Sequence, residues 1–301
     1  MRTVLAGTAA KITARLRIID PGPSTTIQDL GRPGLAHLGV TRSGAADRTS
    51  LRLANRLAGN PEGAPALENT YGGLSFTVSQ DRYVAITGAA VDVRVDGRIV
   101  DEPTRIRLAA GRALTLGRPR FGLRTYVAVA GGLAVSRVFG SAATDFLSGL
   151  GPGPVTAGDT LALGEVADPP ELPVELAVSR LPSATIDLAF RCGPRDTLFP
   201  ARDRATLVNS LWTISPHCNR VGARLIGPRF TVGSLGLPSE GMAPGAIQVP
   251  PAGEPIVFLA DHPVTGGYPV VGVVTDRDID LLAQAPPGTA VRFRPLPRGG
   301  R

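Results

Sequence analysis

Short segments of alternating apolar and polar residues dominate the middle of the chain, across residues 74–163. The segment VDVRVDG alternates at every position, which is the period of a β-strand with one buried face. Asp96-Gly97 ends that segment, and this dipeptide is typical of a two-residue hairpin turn. The pattern predicts a succession of short strands: LSFTVS, YVAITGA, VDVRVDGRIV, ALTLG, RTYVAVAGG and DTLALG.

One helix is predicted before these strands. Its apolar residues between positions 53 and 58 fall on one face, and Ser43 or Asp47 is the expected N-cap. Gly59-Asn60-Pro61 then ends it, because glycine suits the left-handed position that follows a helix. In the second half of the chain, shorter helices are predicted at residues 202–211 and 276–284, the latter with Thr275 as the cap.

A local repeat favours a barrel-like construction. The fragments AGRALTLG (110–117), AGDTLALG (157–164) and PGTAVRFR (287–294) each place a turn glycine before an alternating strand. Residues 165–184 are rich in Pro and Glu and have no steady period, which is typical of a linker. The predicted fold is mainly β, with two β-barrel-like domains and a few short helices. The expected division is an N-terminal extension (1–16), an N-terminal β domain (17–165, first strand at 16–19), a linker (166–184) and a C-terminal β domain (185–297).

Composition narrows the function. The formal charge is +7, but the basic residues are scattered arginines with a single lysine, Lys11, so no nucleic-acid surface is expected. Two cysteines, Cys192 and Cys218, are too few for a disulfide framework and favour a reducing cytoplasm. The N-terminus is broken by charges and no apolar window reaches membrane-spanning length, so a soluble, cytoplasmic protein is expected.

Several common chemistries lack their residues. After Lys11 no lysine remains for a phosphate-binding P-loop, a Schiff base or biotin attachment. The three histidines, His37, His217 and His262, have no metal-ligand spacing, so no metal is expected. No Gly-x-Ser-x-Gly motif positions a serine nucleophile, and Cys218 is interpreted as a small buried residue.

The remaining polar residues lie in three glycine-rich stretches, which suit a small polar substrate because glycines let backbone N–H groups approach a ligand. Asp261, Glu240 and Gln248 are candidates to orient or deprotonate an amide nitrogen or a water. Segment 261–268 places several hydrogen-bonding side chains beside Gly266 and Gly267 and predicts the lining of a site. Structural roles as turn, cap or ion-pair residues are the alternative for most single polar residues. The stretches are TTIQDLGRPG running on to LENTYGG, CNRVGARLIG, and SEGMAPGAIQVPPAGEPIVFLADHPVTGGYPVVG.

Those stretches resemble the KipA family, also called allophanate hydrolase subunit 2, a biotin-dependent carboxyltransferase-like family. The most specific pieces are TIQDLGRPG, GAADRTSLRLANRLAGN, ALENTYGG, CNRVGARLIG, SEGMAPGAIQVPPAG and DHPVTGGYP. The resemblance implies cyclophilin-like β domains and a KipI-like partner (allophanate hydrolase subunit 1), with the active surface between the two. By resemblance, the substrate-binding residues are Arg32, Asp47, Asn55, Glu68, Asn219, Arg220, Arg224, Thr265, Gly267 and Tyr268, beside the catalytic candidates Asp261, Glu240 and Gln248. His262 and Gly266 are added as substrate-binding candidates because they belong to segment 261–268.

Three functions follow from the resemblance. The first is a subunit of an ATP-dependent 5-oxoprolinase, which opens a cyclic amide to glutamate together with KipI-like and LamB/YcsF-like subunits. Arginines would hold the substrate carboxylate, ATP would be used by the assembled complex, and no covalent cofactor is expected. The second is carboxyl transfer from carboxybiotin to a small amide such as urea. The third is non-enzymatic, an antagonist of a KipI-like inhibitor of a histidine kinase.

Overall fold

The protein is mainly β, as a computed structural model describes it for residues 14–101, 104–166, 181–231 and 237–297. The first half forms a curled nine-stranded sheet within these ranges, and the second half forms a closed seven-stranded barrel. Three α-helices accompany the strands in the described part of the chain. The predicted fold class is therefore confirmed, with one closed barrel and one curled sheet.

The sheet has a central ladder in the order β2-β3-β8-β4-β1-β9; β5 pairs with β8, and β6 and β7 pair with β5. Its inward side chains form a hydrophobic core that includes Leu16, Phe76 and Val127. The strands are β1 (Ala14–Pro21), β2 (Ser24–Gln28), β3 (Ala66–Thr70), β4 (Leu74–Val78), β5 (Arg82–Val95), β6 (Arg98–Ile99), β7 (Arg105–Leu108), β8 (Leu114–Val129) and β9 (Thr160–Leu163).

Two of these strands are longer than the sequence pattern predicts. YVAITGA and VDVRV belong to one 14-residue strand, β5, and ALTLG and RTYVAV belong to the 16-residue β8. The β5–β8 pairing shifts register repeatedly between Gly88 and Val93. Such bulges bend a strand without ending it, so glycines that suggest turns in the sequence mark bends in the structure. At Gly88, φ is +85°, a conformation that glycine adopts without strain.

Helix α1 (Arg48–Ala58) confirms the helix predicted in the first half. Asp47 is its N-cap and accepts a hydrogen bond from Ser50 N at 2.9 Å. Gly59 at φ +77° follows its last residue, as expected for a left-handed C-cap. The predicted hairpin is also confirmed, because Asp96 and Gly97 have positive φ between paired strands β5 and β6.

The second half contains β10 to β18, of which all but β13 and β16 form the barrel. Parallel pairing of β10 with β18 closes it, from Thr185 opposite Ala290 to Phe190 opposite Pro295. Trp212, stacked on Phe230, lies in its core. The strands are β10 (Thr185–Cys192), β11 (Trp212–Ile214), β12 (Gly222–Ile226), β13 (Glu240–Gly241), β14 (Ala246–Gln248), β15 (Ile256–Phe258), β16 (Thr265–Gly266), β17 (Val270–Val274) and β18 (Ala290–Pro295).

Helices α2 (Ala201–Asn209) and α3 (Asp276–Ala283) lie close to their predicted positions. Thr275 is the N-cap residue of α3, but its side chain makes no capping hydrogen bond, contrary to the expectation. Asp278 instead accepts a hydrogen bond from Ala189 N at 2.8 Å, which ties the first turn of α3 to β10.

The repeated fragments have the same local structure. Gly111, Gly158 and Gly288 all have positive φ, and β8, β9 and β18 follow them. The first strand begins at Ala14, two residues before its predicted start. Most of the predicted linker, residues 167–180, and residues 1–13 of the predicted extension lie outside the described residues, and the domain division stays a prediction.

Candidate functional site

A buried ion network joins the sheet to the barrel. Arg220, just before β12, donates from Nε to Asp261 Oδ2 at 2.8 Å and from Nη2 to Asp261 Oδ1 at 2.9 Å. Its Nη1 donates to Glu68 Oε1 on β3, and its Nη2 donates to Gly44 O at 2.6 Å. Glu68 and Asp261 are 1% and 0% exposed. The guanidinium is therefore held by residues from both halves of the chain.

The network continues from Glu68 to the start of α1. Glu68 Oε2 accepts hydrogen bonds from Ala46 N at 2.9 Å and from the Tyr126 hydroxyl at 2.8 Å. The Tyr126 oxygen in turn accepts from Asp47 N at 2.7 Å. Gln284 Nε2, from the end of α3, donates to Asp47 Oδ2 at 2.8 Å. Strand β3, strand β8 and two helix ends thus depend on one connected set of polar groups.

Electrostatics explain why these buried groups stay charged. Burial opposes ionisation of Glu68, but the guanidiniums of Arg220 and Arg124 outweigh it and lower the pKa of this carboxyl. Burial likewise opposes the charge on Arg220, and Glu68 and Asp261 outweigh it and raise its pKa. Asp47 behaves differently: burial, followed by the nearby charge of Asp280, raises its pKa from 3.8 to about 6.

Four predicted site residues, Asp47, Glu68, Arg220 and Asp261, therefore belong to this network. Asp261 also lies 2.7 Å from the hydroxyl of Ser43, a residue held at φ +50°. With no exposed surface and both oxygens engaged, Asp261 is placed to position the Arg220 segment. A direct catalytic role for Asp261, as expected from the sequence, would require these contacts to break first.

A cleft of about 400 Å³ lies beside the network, between the sheet and the barrel. We name it the Tyr71 cleft. It is largely apolar, with a few polar groups, as small-molecule sites commonly are. Tyr71, at its rim, has φ +69° and is 46% exposed. Non-glycine residues in this region are uncommon and cluster at functional sites. The lining includes Thr70, Tyr71, Arg124, Phe146, Cys218 and Asn219.

Arg124 is the notable polar residue of the Tyr71 cleft. Its side chain is 5% exposed, and its Nη1 donates to Ala283 O. Its Nε has no hydrogen-bond partner among the described residues and lies 3.7 Å from Glu68 Oε1. Because an unmade bond of a buried charged donor is costly, this nitrogen is suited to an additional acceptor.

Cys218 and Asn219 form the barrel side of the cleft rim. The half-buried thiol of Cys218 has its pKa raised, chiefly by burial. Asn219 is exposed, and its side-chain oxygen accepts from Val221 N at 2.9 Å and Gly222 N at 3.2 Å. Arg224 lies on β12 with its side chain exposed and is not part of this lining.

The remaining catalytic candidates lie on a separate two-stranded ribbon and the strand beside it. Glu240 on β13 pairs with Gly266 on β16, and its carboxylate contacts Arg195. Gln248 on β14 donates to Tyr268 O at 3.3 Å, and a side chain at Gly266 would approach its Nε2 within 2.7 Å. Thr265, Gly267 and Tyr268 complete this group, and Tyr268 is 47% exposed. The structure therefore brings ten of the predicted residues together in two groups, four in the buried network and six, Gly266 among them, on or beside this ribbon.

Three further predicted residues have structural partners. Arg32 is 1% exposed and donates to Val138 O at 3.1 Å and Ala143 O at 2.6 Å. Asn55 donates to Ala64 O at 2.8 Å, which fixes the loop after α1. His262 is buried, its Nδ1 faces Pro263 O at 2.8 Å, and burial lowers its pKa, so the ring is neutral near pH 7.

Sequence reasoning missed Arg124, Tyr126, Gln284 and Ser43. Arg124 and Tyr126 alternate with Thr125 on β8, so two polar groups fall on the same face of a strand otherwise rich in apolar residues. This pair of polar residues on one face is the sequence pattern by which Arg124 and Tyr126 could have been found.

The described residues contain no group of three His, Cys, Asp or Glu side chains able to hold a metal ion. None of the helices in the described ranges has the length and apolarity of a membrane span.

Comparison with known proteins identifies the family. The profile described as carboxyltransferase domain, subdomain A and B, matches residues 38–295. The chain belongs to this carboxyltransferase family. Its sequence is 38% identical to a protein of Escherichia coli named as one subunit of 5-oxoprolinase, over 291 residues that cover 92% of this chain and 90% of that protein. It is 30% identical to urea amidolyase of Saccharomyces cerevisiae, covering 93% of this chain but 16% of that protein.

Solved structures of other carboxyltransferase-domain proteins agree with the fold. TTHA0988 matches with a TM-score of 0.84 at 35% identity, covering 95% of this chain and 56% of that one. Urea carboxylase of Kluyveromyces lactis also has a TM-score of 0.84, at 28% identity, and the match covers 97% of this chain and 28% of that one. The chain thus spans little more than half of TTHA0988 and a smaller part of the urea-processing proteins. The family resemblance carried by the motifs is confirmed.

Proposed function

We propose that the chain is a subunit of a 5-oxoprolinase, a multi-subunit hydrolase that uses ATP to open 5-oxo-L-proline to L-glutamate in the cytoplasm. One observation carries this proposal: the similarity to the Escherichia coli protein extends over 92% of this chain and 90% of that protein. The two proteins therefore correspond along almost their whole lengths. The much longer urea amidolyase matches with only 16% of its length.

The Tyr71 cleft is the proposed binding site. The substrate is a small ring with a carboxylate and an amide, and the cleft offers about 400 Å³ with an apolar lining. The Nε of Arg124 has no hydrogen-bond acceptor among the described residues and lies 3.7 Å from Glu68 Oε1, so a small shift of the side chain would present this donor to the carboxylate. The Arg220–Asp261 pair fixes the adjacent rim segment that carries Cys218 and Asn219. A fixed rim of this kind reduces the rearrangement that binding requires.

The proposal includes partner subunits of the KipI-like and LamB/YcsF-like types. The Escherichia coli relative is named as one subunit of its enzyme, which supports the existence of others. The exposure of Tyr71 (46%) and Phe146 (50%) at the cleft rim also supports a covering partner, because large exposed aromatic residues commonly mark interfaces. Without that cover the cleft stays open to water, and we expect no activity from the isolated chain.

Carboxyl transfer is the second candidate. The family description and the 30% identity to a urea amidolyase over 93% of this chain support it. Carboxybiotin would then come from outside these 301 residues, because their one lysine, Lys11, lacks the sequence surroundings of a biotinylated residue.

Co-expression with KipI-like and LamB/YcsF-like subunits tests the function, with glutamate release from 5-oxoproline measured with and without ATP. ATP-dependent release that needs every subunit supports the proposal. A complex that assembles and leaves 5-oxoproline intact contradicts it, and carboxylation of urea in the presence of a biotin carrier would then favour the second candidate.

Thiol labelling tests the site in the same complex. When Cys192→Ser is labelled before it is assembled with the other subunits, Cys218 at the Tyr71 cleft is the chain's remaining thiol for a bulky maleimide, and we expect the label to abolish the activity of the complex. The matched control is Cys218→Ser labelled at Cys192, an exposed residue outside this cleft, compared with its own unlabelled form. Equal activity of the two labelled proteins would exclude the Tyr71 cleft as the site.

A further inference from the structure

A second cavity, distinct from the Tyr71 cleft, lies between the start of α1 and helix α3. It measures about 250 Å³, and four arginines contribute to its wall. We call it the four-arginine cleft. Arg42 comes from the segment before α1, Arg48 and Arg52 from α1, and Arg277 from α3. Two carboxylates, Asp276 and Asp280, also line it.

Charge is unbalanced in this cavity, with four guanidiniums against two carboxylates. One of the carboxylates is already engaged. Asp280 accepts hydrogen bonds from Arg48 N at 3.0 Å, from Thr49 N at 3.2 Å and from the Thr49 hydroxyl at 2.6 Å. Asp280 therefore holds the first turn of α1, beside the N-cap Asp47, and the lining as a whole carries more positive than negative charge.

The arginine side chains have few partners of their own. Arg52 faces Glu62 at 3.8 Å, outside the cleft lining. For Arg42, Arg48 and Arg277, no side-chain hydrogen bond or ion pair joins them to another described residue. The Nε of Arg42 is buried without an acceptor among the described residues. An isolated buried donor of a charged group is unfavourable, so an anion that accepts from it would be stabilised.

The charges of this cleft lie close enough to affect the pKa of one another. Burial lowers the pKa of Arg42, and the neighbouring Arg52 lowers it further, against the opposite effect of Asp276. Burial also lowers the pKa of Arg48, with Arg42 acting in the same direction. Like charges held together at a partly desolvated wall have an unfavourable energy that a bound anion relieves.

We propose that the four-arginine cleft binds a phosphate group. Four arginines against two carboxylates in the lining favour an anion, although Glu62 offsets part of the charge of Arg52. Arginines that converge from three chain segments suit a tetrahedral group with several acceptor oxygens better than a planar carboxylate. The volume of about 250 Å³ is below the roughly 300–1,000 Å³ of sites for drug-sized ligands. The cleft therefore accommodates inorganic phosphate or the phosphate end of a larger molecule. This site does not depend on the proposed function.

The four-arginine cleft also adjoins the site proposed above. Leu259 lines both cavities, and Ala46, in the wall of the four-arginine cleft, donates its N–H to Glu68 of the buried network. A phosphate bound here would lie one side chain away from the Tyr71 cleft.

Calorimetric titration of the full chain tests the proposal, with inorganic phosphate, ATP and malonate as probes at fixed ionic strength. We expect phosphate or ATP to bind, and the double variant Arg42→Gln/Arg277→Gln to lose at least tenfold in affinity. Arg292→Gln, on an exposed position of β18, removes a charge elsewhere and should bind as the unchanged protein does. Loss of ATP and phosphate binding in the double variant supports the site, and the tighter probe identifies the source of the phosphate.

Malonate, a planar dicarboxylate, binding as tightly as phosphate would overturn the choice of ligand. If the double variant binds phosphate and ATP as tightly as the unchanged protein does, the four-arginine cleft is not the binding site. If that variant does not fold, phenylglyoxal modification of the unchanged protein decides the matter. Phosphate should slow the modification of Arg42 and Arg48 at least severalfold, as peptide mass spectrometry measures it, and leave Arg292 unaffected. Equal rates with and without phosphate would exclude the site.

Discussion

Replacing Arg220 with methionine removes the guanidinium between Glu68 and Asp261 and keeps most of the side-chain volume. The structure gives four charge-assisted hydrogen bonds to lose, two to Asp261, one to Glu68 and one to Gly44 O. The substitution also leaves Asp261, which is 0% exposed, without the Arg220 guanidinium, and leaves Glu68, which is 1% exposed, with only Arg124 at 3.7 Å. Breaking a buried ion pair by removing one partner costs about 3–5 kcal/mol, which is a large share of the roughly 5–15 kcal/mol that stabilises a domain.

The destabilisation caused by Arg220→Met should depend on pH. In the unchanged protein the pKa of Glu68 is lowered, so its contribution to stability is present at neutral pH and is lost as the pH falls. In the variant, Glu68 keeps Arg124 but loses the larger effect of Arg220, so burial shifts the pKa of Glu68 upward and its protonation relieves the destabilisation at low pH. The difference in stability should therefore grow from about pH 4 to about pH 7. Adding Glu68→Gln and Asp261→Asn should restore at least about 2 kcal/mol, because neutral amides keep the shape and several hydrogen bonds.

Urea unfolding is the assay. Trp212, the one tryptophan, is fully buried in the barrel, so its fluorescence reports barrel unfolding, while circular dichroism reports both halves. The matched control is Arg294→Met, whose pair with Asp187 at 3.0 Å is 56% and 53% exposed. Exposed pairs contribute at most about 1 kcal/mol. The reasoning would be refuted if Arg220→Met were as stable as Arg294→Met and if its loss of stability did not change with pH.

Three further outcomes follow from named contacts. Because the pKa of Asp47 is raised from 3.8 to about 6, its ionisation should lower stability by about 3 kcal/mol as the pH rises from about 4 to about 6. Asp47→Asn should remove this contribution, so the difference in stability between the variant and the unchanged protein should change over this pH range. A difference that stays constant with pH in urea unfolding would contradict the assignment. Gly88→Ala places a Cβ within 2.3 Å of Arg124 O at φ +85°, whereas Gly111→Ala at φ +76° meets nothing within 4 Å. Gly111→Ala should lower stability by about 1–2 kcal/mol, and Gly88→Ala should lower it by at least about 2 kcal/mol more. Similar urea midpoints for the two variants would show that the approach of residue 88 to Arg124 O does not matter. Asn55→Ala removes the donor to Glu62 O and Ala64 O and should lower stability by about 1–3 kcal/mol. A thermal unfolding midpoint within about 1–2 °C of that of the unchanged protein would show that the loop after α1 does not need these hydrogen bonds.

The predictions that the sequence supported best concern local structure. Asp47 and Gly59 bound α1, Asp96-Gly97 forms a hairpin, and a turn glycine precedes each of β8, β9 and β18. Such features depend on backbone conformations within a few residues, which amino-acid type restricts directly. The same local interpretation split β5 and β8 at glycines, because a bend and a turn require similar residues and only cross-strand pairing distinguishes them.

The grouping of the polar residues depends on tertiary structure. Glu68 and Arg220 are 152 positions apart in the chain, and Ser43 and Asp261 are 218 apart. The neighbouring sequence does not distinguish Glu240, which lies on the two-stranded ribbon, from Asp261, which is fully buried in the network. Arg124 and Arg42 become candidates for binding anions only when burial leaves their donors without acceptors among the described residues. The sequence determined which side chains are available, and packing of the sheet against the barrel decided which of them meet, because burial and pairing are set by distant segments.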